Sequence, residues 1–267
     1  MKLSKGKIIL IIIVIYFTVF AIININKEKD NNQKILEEVV YVTDGKVKEE
    51  NEGKLVVVTG KISYDELVTF LELEDFGSIK MKRTVEDYVK EEDGYDWVER
   101  EEPLEDNKDN DYLKSIVSEE KISDIWVGEY HLDEKGLDLL PCDKRYYAQE
   151  SIGDLTTTGL SYERDPWEEN LEVGDIRLTY EYFELDKYPT ISILAEQKDG
   201  SFTPYKIDKK TDIYQIFLGK VDTKEKLAKE LQTNVKKTTK GKFLFIAMIL
   251  GIGIFLIIDN KKTSKKA

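Results

Sequence analysis

The segment VGDIRLTYEYFEL, residues Val173 to Leu185, alternates apolar and polar side chains along most of its length. One set of alternate positions is apolar (Ile176, Leu178, Tyr180, Tyr182), and the other is mixed (Arg177, Thr179, Glu181, Phe183). Because successive side chains of a β-strand point to opposite faces, this pattern predicts a strand with one face in a core and the other toward water. The segment therefore predicts a sheet domain that lies outside any membrane.

Further strand patterns lie on both sides of this segment. They are KLVVVTGKI (54–62), SIKMKRTVEDYV (78–89), ISDIWVGEYHL (122–132) and PTISILAEQ (189–197). After the last of them, Asp199 and Gly200 form a residue pair that favours a tight hairpin turn. The segment FTPYKI (202–207) is then the returning strand of the hairpin. Pro189 and Pro204 indicate strand ends or an edge, because proline has no N–H for a sheet ladder. Together these patterns predict a mostly antiparallel, β-rich domain of the β or the α+β class.

Uninterrupted apolar segments lie near both ends of the chain. Residues 8–25, IILIIIVIYFTVFAIINI, carry no charge, and as a helix they would be about 27 Å long, which is enough to cross a bilayer core. Residues 243–258, FLFIAMILGIGIFLII, are fewer, but Lys240, Lys242 and Lys261 can reach the headgroups on either side. The alternative, a buried core helix, would carry polar residues on one face, and this segment has none. We therefore predict two transmembrane helices, at 8–25 and 243–258.

Lysines at the two ends predict the orientation of the chain. Three of them precede the first apolar segment and four follow the second, at 261, 262, 265 and 266. The positive-inside rule then places residues 1–7 and the basic tail 259–267 in the cytoplasm. Residues 26–242 form an extracytoplasmic domain that ends in a predicted juxtamembrane helix at 222–237. The small residues at 19–21 suit a signal peptidase, but the apolar segment continues to Ile25, which favours an uncleaved anchor.

Charge and cysteine usage exclude several classes of protein. The chain has 40 basic and 53 acidic side chains, a formal net charge of −13, and its basic ends leave residues 26–242 more negative still. So acidic a surface excludes nucleic acid as a partner. Cys142 is the single cysteine, which excludes an internal disulfide and a thiolate metal site. An extracytoplasmic domain without disulfides suits a bacterial cell membrane.

Residues with catalytic chemistry are scarce in this sequence. His131 is the only histidine, and its strand-like surroundings indicate a core or edge position rather than a catalytic one. The acidic run EREEPLEDNKDND (99–111) lacks the ligand spacing and the glycine of a calcium loop, so it is interpreted as a solvated loop. Trp97, Trp126 and Trp167 are interpreted as core or interface anchors. We predict that the chain is not an enzyme and has no cofactor and no metal site.

Five segments carry a resemblance to a known family. The segment NLEVGDIRLTYEYFEL (170–185), followed by PTISILAEQKDGSFTPY (189–205), contains Gly174, Asp175 and Arg177 in the order Val-Gly-Asp, aliphatic, Arg, aliphatic, Ser or Thr. The other three segments precede it: NEGKLVVVTGKI (51–62), FGSIKMKRTVEDYVKEE (76–92) and IWVGEYHLDEKGL (125–137). These segments follow one another along residues 40–258 as in the LUMA family (transmembrane protein forty-three), which the chain therefore resembles.

The resemblance implies a membrane-anchored protein that oligomerises and organises membrane protein complexes. Members of the family have one amino-terminal span, a large lumenal domain and several spans after it. This chain ends soon after residue 258, so we expect a short member that lacks the multi-span carboxy-terminal region. The location of eukaryotic members, in the endoplasmic reticulum and the inner nuclear membrane, is not carried over.

Two small residues in the second predicted span suggest a helix–helix contact. Ala247 and Gly251 stand four residues apart, a spacing that lets two helix backbones approach closely in lipid, although spans also tolerate small residues without any contact. With the resemblance, this spacing predicts a homo-oligomer that organises membrane partners. The alternative function is an extracytoplasmic sensor or binding module for a cation or a peptide. A clustered apolar patch on the outer domain would favour the first function, and a deep acidic cleft the second.

Overall fold

The computed structural model describes residues 5–73, 75–92, 94–104, 112–147, 150–151, 155–159, 161–163 and 171–236. The second predicted span, with Ala247 and Gly251, and the tail 259–267 lie outside these residues. Contacts divide the chain into two units, one made of residues 1–41, 206–212 and 221–267 and the other of residues 42–205 and 213–220.

The helices are few and the strands are many. The helices are α1 (Lys5–Glu38), α2 (Tyr112–Ser115), α3 (Glu134–Leu139) and a helix over 224–236, α4, with one 3-10 turn at Glu49–Asn51. The strands are β1 (Val40–Val42), β2 (Leu55–Tyr64), β3 (Lys80–Glu91), β4 (Gly94–Glu99), β5 (Glu119–Ile122), β6 (Ile125–Val127), β7 (Tyr130–His131), β8 (Lys144–Arg145), β9 (Thr156–Thr157), β10 (Tyr162–Glu163), β11 (Ile176–Tyr182), β12 (Thr190–Lys198), β13 (Ser201–Thr203), β14 (Tyr205–Asp208), β15 (Thr211–Ile213) and β16 (Gln215–Phe217).

The first unit is held together by the carboxy-terminal half of α1. Ile35 of this helix is buried, as are Leu227 and Leu231 of α4, and the Asn32 amide donates a hydrogen bond to the Leu231 carbonyl. Lys27 forms an ion pair with Asp208 at 3.2 Å. The α1 helix thus continues well past residue 25, the end of the first predicted span.

Within the described residues, no helix combines bilayer-spanning length with the required hydropathy. Both spans therefore stay predictions from the sequence.

The second unit contains two sheets whose strand pairs are antiparallel. The first sheet has the order β13-β12-β2-β6-β7, with β16 also beside β12. The second has the order β4-β3-β11-β10-β9, with β5 also beside β3 and β8 beside β11. This arrangement confirms the predicted mostly antiparallel, β-rich domain. The Asp199-Gly200 turn is confirmed too, because both residues have positive φ angles, 51° and 75°.

The segment at 173–185 forms the centre of the second sheet. Within it, β11 pairs with β3 along its whole length, and Ile176, Leu178 and Tyr180 are buried as the alternation predicts. Strand β11 ends at Tyr182, so the alternation stops there, and Phe183, predicted on the mixed face, is only 1% exposed. The core under this sheet also contains Phe70, Met81, Val85, Leu155 and Tyr162.

Candidate functional site

The family-motif residues Gly174 and Asp175 shape the start of β11. Gly174 has a φ of +100°, a conformation that side-chain-bearing residues rarely adopt, and its N–H donates to the Tyr88 carbonyl at 3.0 Å. The Tyr88 N–H in turn donates to the Asp175 carbonyl at 2.8 Å. The Asp175 carboxylate accepts a hydrogen bond from the Glu172 N–H at 2.8 Å, which closes the turn. These two residues therefore have a structural role, which is to lock β11 to β3.

Arg177, the third motif residue, lies on the opposite side of β11 from the core. Its Nε donates to Glu86 at 2.8 Å, and its guanidinium carbon lies 4.4 Å from the centre of the Trp97 ring. The hydrogen bond to Glu86 raises the pKa of Arg177 above its ordinary value. Tyr88 packs against Trp97 and against Tyr95, whose side chain is exposed. We call these four residues, Tyr88, Tyr95, Trp97 and Arg177, the aromatic face.

A cavity of about 700 Å³ opens elsewhere in the same unit, and we call it the acidic pocket. Its lining comprises three carboxylates (Glu72, Asp75, Glu150), four aromatic rings (Phe76, Tyr112, Tyr146, Tyr162), and Leu71, Leu73 and Ser151. The volume is in the usual range for small-molecule sites. The pocket combines negative charge with aromatic surface.

The loop between β2 and β3 forms one wall of the acidic pocket. A bridge between Val68 and Ser78 closes this loop, and the Thr69 hydroxyl donates to the Phe76 carbonyl at 2.6 Å. Phe76 itself packs on Tyr146 and on Tyr182, with ring centres 4.7 Å apart in each pair. The loop is therefore tied to the sheet through its backbone and through its aromatic side chain.

Arg100 anchors the short helix α2, whose first residue, Tyr112, is in the pocket lining. The Arg100 guanidinium forms a two-pronged hydrogen bond to Asp87 and donates to the carbonyls of Leu113 and Ile116. This side chain thus connects β3 to α2, the helix that begins with Tyr112. The helix that carries the Tyr112 ring into the pocket lining is thus hydrogen-bonded to a side chain that is paired with β3.

One of the pocket residues, Glu72, belongs to a buried ion pair. Arg83 of β3 and Glu72 approach to 2.6 Å, and their side chains are 7% and 1% exposed. Arg83 also donates to the Val117 carbonyl and to Glu119. Each nitrogen of the Arg83 guanidinium therefore has a hydrogen-bond partner. In contrast, Oε2 of Glu72 and the hydroxyl of Tyr180 are buried with no hydrogen-bond partner in the described part of the chain. Buried polar atoms without partners are uncommon and call for an explanation.

The tyrosines around this ion pair stay protonated. Burial, and then the Glu72 carboxylate, raise the pKa of Tyr180 far above its ordinary value. Burial, and then the neighbouring Glu72 carboxylate, raise the pKa of Tyr112 as well, and burial raises the pKa of Tyr162 to about 12. The tyrosine side chains therefore add neutral rings and hydroxyl groups to the pocket, and its negative charge comes from the carboxylates.

The pocket carboxylates do not assemble into a metal site. Within the described part of the chain, Asp75 and Glu150 have no cationic partner, and their residues are exposed. Among the same residues, no group of three or more His, Cys, Asp or Glu is placed to hold a metal ion. The pocket is thus a diffuse negative region beside aromatic rings.

The other chemistry-bearing residues lie apart from the pocket lining. His131 is in the short strand β7, with its ring 5.1 Å from that of Trp126 and its Nε2 3.6 Å from Asp124. Burial raises the pKa of the Cys142 thiol to about 12, so this cysteine is a poor nucleophile.

The acidic pocket was not predicted from the sequence. The run LELEDF (71–76) places acidic and aromatic residues between two strands, and this mixture was an available signal. The remaining lining residues come from distant positions, and no local pattern connects them.

Comparison with known proteins identifies a family. The family model described as Transmembrane protein 43 matches residues 96–263, more than half of the 267 residues. The match includes the motif strand with Gly174, Asp175 and Arg177, and it begins after the segments at 51–62 and 76–92. No curated protein and no solved structure matches the chain. On the family match, the chain belongs to the transmembrane protein 43 family.

Proposed function

We propose that this chain is an integral membrane protein that self-associates and organises membrane protein complexes through its extracytoplasmic domain. Family membership supports the membrane location. The main structural observation in support of the membrane location is the apolar surface of α1. Its exposed side chains include Ile13, Tyr16, Phe17, Val19, Phe20, Ile22 and Ile23. Burial of apolar surface away from water is favourable by about 25 cal/mol per Å², and lipid offers such burial.

The proposed orientation places both termini in the cytoplasm of a bacterial cell and the two sheets outside it. The lysines before residue 8 and after residue 258 support this orientation. Self-association would use the small-residue pair Ala247 and Gly251 in the second span, and the aromatic face would add contact area. Tyrosine, tryptophan and arginine are enriched where proteins contact one another.

The orientation is tested by protease protection. Protease added to spheroplasts should cut within residues 99–111 and leave tags at both termini intact. Spheroplasts opened with detergent provide the control, in which both tags are digested. Loss of the carboxy-terminal tag in intact spheroplasts would contradict the two-span arrangement.

Self-association is tested by cross-linking of Gly251→Leu in membranes. Leucine increases the distance between helix backbones without adding polarity, so the dimer yield should fall while membrane insertion is retained. Gly253→Leu is the matched control, because residue 253 lies off the ridge formed by 247 and 251. An unchanged dimer yield in Gly251→Leu would remove this span from the interface.

The acidic pocket favours a second candidate function. An extracytoplasmic sensor or binding module for a cation or a peptide would need a negative cavity, and the pocket offers three carboxylates around about 700 Å³. The two candidates are separable, because a binding module requires a ligand in the pocket, whereas self-association does not.

A further inference from the structure

We propose that the acidic pocket binds an organic ammonium ion, namely the protonated form of a small primary amine. This inference deepens the second candidate function and does not depend on self-association. It assigns a ligand class to the cavity lined by Glu72, Asp75, Glu150 and four aromatic rings.

The charge of the lining requires a cationic ligand. Arg83 offsets the charge of Glu72, and within the described residues no cation offsets that of Asp75 or Glu150. A cavity lined by one sign of charge with low-dielectric walls concentrates ions of the opposite sign. An anion or a phosphate ester would be repelled from this pocket.

The aromatic lining selects an organic cation over a metal ion. Phe76, Tyr112, Tyr146 and Tyr162 present rings to the cavity, and a cation over a ring face is attracted by the ring quadrupole. Divalent metal ions instead demand several oxygen ligands at about 2.0–2.6 Å. No such group of side chains exists in the described part of the chain. An ammonium ion on a carbon chain matches both the rings and the dispersed carboxylates.

An unpartnered buried oxygen of Glu72 favours a ligand that carries N–H groups. Glu72 lines the pocket, its side chain is 1% exposed, and its Oε2 lacks a hydrogen-bond donor among the described residues. A primary ammonium has three N–H donors, whereas a quaternary ammonium has none, so the former can satisfy the Glu72 acceptor.

The test is a calorimetric titration of the full chain in nanodiscs of zwitterionic lipid with 1,4-diaminobutane at pH 7. We expect saturable binding at one site per chain. Asp75→Asn and Glu150→Gln should each weaken the affinity about three-fold, the range for exposed charge pairs, and the double variant should weaken it about ten-fold. Glu134→Gln is the matched control, because this exposed carboxylate is on α3 and not in the pocket lining.

Other ligands in the same titration show which chemical class of cation the pocket binds. Tetramethylammonium chloride should bind at least ten-fold more weakly than the diamine, and equal binding would overturn the role of the N–H donors. Tighter binding of magnesium chloride or of a lysine-containing tripeptide, lost in the double variant, would overturn the small amine while retaining a binding module. Diamine binding that is unchanged in the double variant would place the ligand outside the pocket and overturn the inference. Absence of binding by every ligand would overturn the binding module as well, and the cross-linking result would be unaffected.

Discussion

The guanidinium carbon of Arg177 lies 4.4 Å from the centre of the Trp97 ring, and its Nε donates to Glu86 at 2.8 Å. One family-motif residue therefore connects three strands of the second sheet, since Glu86 is in β3, Trp97 in β4 and Arg177 in β11. The contact lies on the face of β11 opposite the core.

Arg177→Met should lower the free energy of unfolding by about 1 kcal/mol, because it removes a cation–π contact and a partly exposed ion pair. Arg177→Lys should recover only part of this loss, since an ammonium lacks the planar fork of the guanidinium. Urea unfolding of the full chain in detergent, followed by tryptophan fluorescence, measures both variants. Arg145→Met is the control, because that side chain is 55% exposed and 3.8 Å from Glu181. Equal losses for Arg177→Met and Arg145→Met would contradict the assigned contact.

Leu178→Asp should destabilise the chain by several kcal/mol, a large share of the roughly 5–15 kcal/mol of a typical domain. Leu178 is 0% exposed, and it pairs with Val85 and Tyr162 in the neighbouring strands. Thr179→Asp, one position along on the other face, should change the stability by less than about 1 kcal/mol. Thermal unfolding by circular dichroism distinguishes them, and similar melting of the two variants would refute the assignment of faces.

Arg100→Met should lower the free energy of unfolding by about 3 kcal/mol, because Asp87 would be left as a partly buried charge without its partner. Two side chains at 5% and 14% exposure form this pair. The double variant Arg100→Met with Asp87→Leu should be more stable than Arg100→Met alone. Hydrogen exchange should also become faster at residues 112–116, because Arg100 donates to the carbonyls of Leu113 and Ile116 within this segment. Unchanged exchange there would show that α2 does not depend on Arg100.

Asp208 should contribute to the stability of the first unit in a pH-dependent way. A hydrogen bond from the Lys210 N–H, and then one from Lys27, lower the pKa of Asp208 from 3.8 to about 2. Because the folded-state pKa is below the unfolded one, the contribution is present above about pH 4 and is lost as the pH falls toward 2. Asp208→Asn should therefore lower the melting temperature at pH 5 and have no effect near pH 2, whereas Asp212→Asn serves as the exposed control. A difference that persists at pH 2 would contradict this account.

Local sequence determined the strands and turns of this protein. The apolar positions 176, 178 and 180 are buried because side-chain direction in a strand follows from the backbone, so a period of two identifies the core face. The pair Asp199 and Gly200 forms the hairpin because these residue types tolerate positive φ. The charge and hydropathy of the ends likewise predicted a membrane-anchored chain, and the family match supports the membrane location.

Only the tertiary structure decided which charged residues are buried and where a cavity forms. Lys80 is 3% exposed because its ammonium reaches the Leu137 carbonyl and Glu120, both far along the chain. Arg83 is buried for the same reason, because its guanidinium pairs with Glu72 and donates to the Val117 carbonyl. The acidic pocket joins residues 71–73, 75 and 76 to positions 112, 146, 150, 151 and 162. Such contacts depend on strand order and on partners distant in sequence, and neither is encoded in a local period, which is why the alternation at 173–185 predicted the sheet and left the pocket unseen.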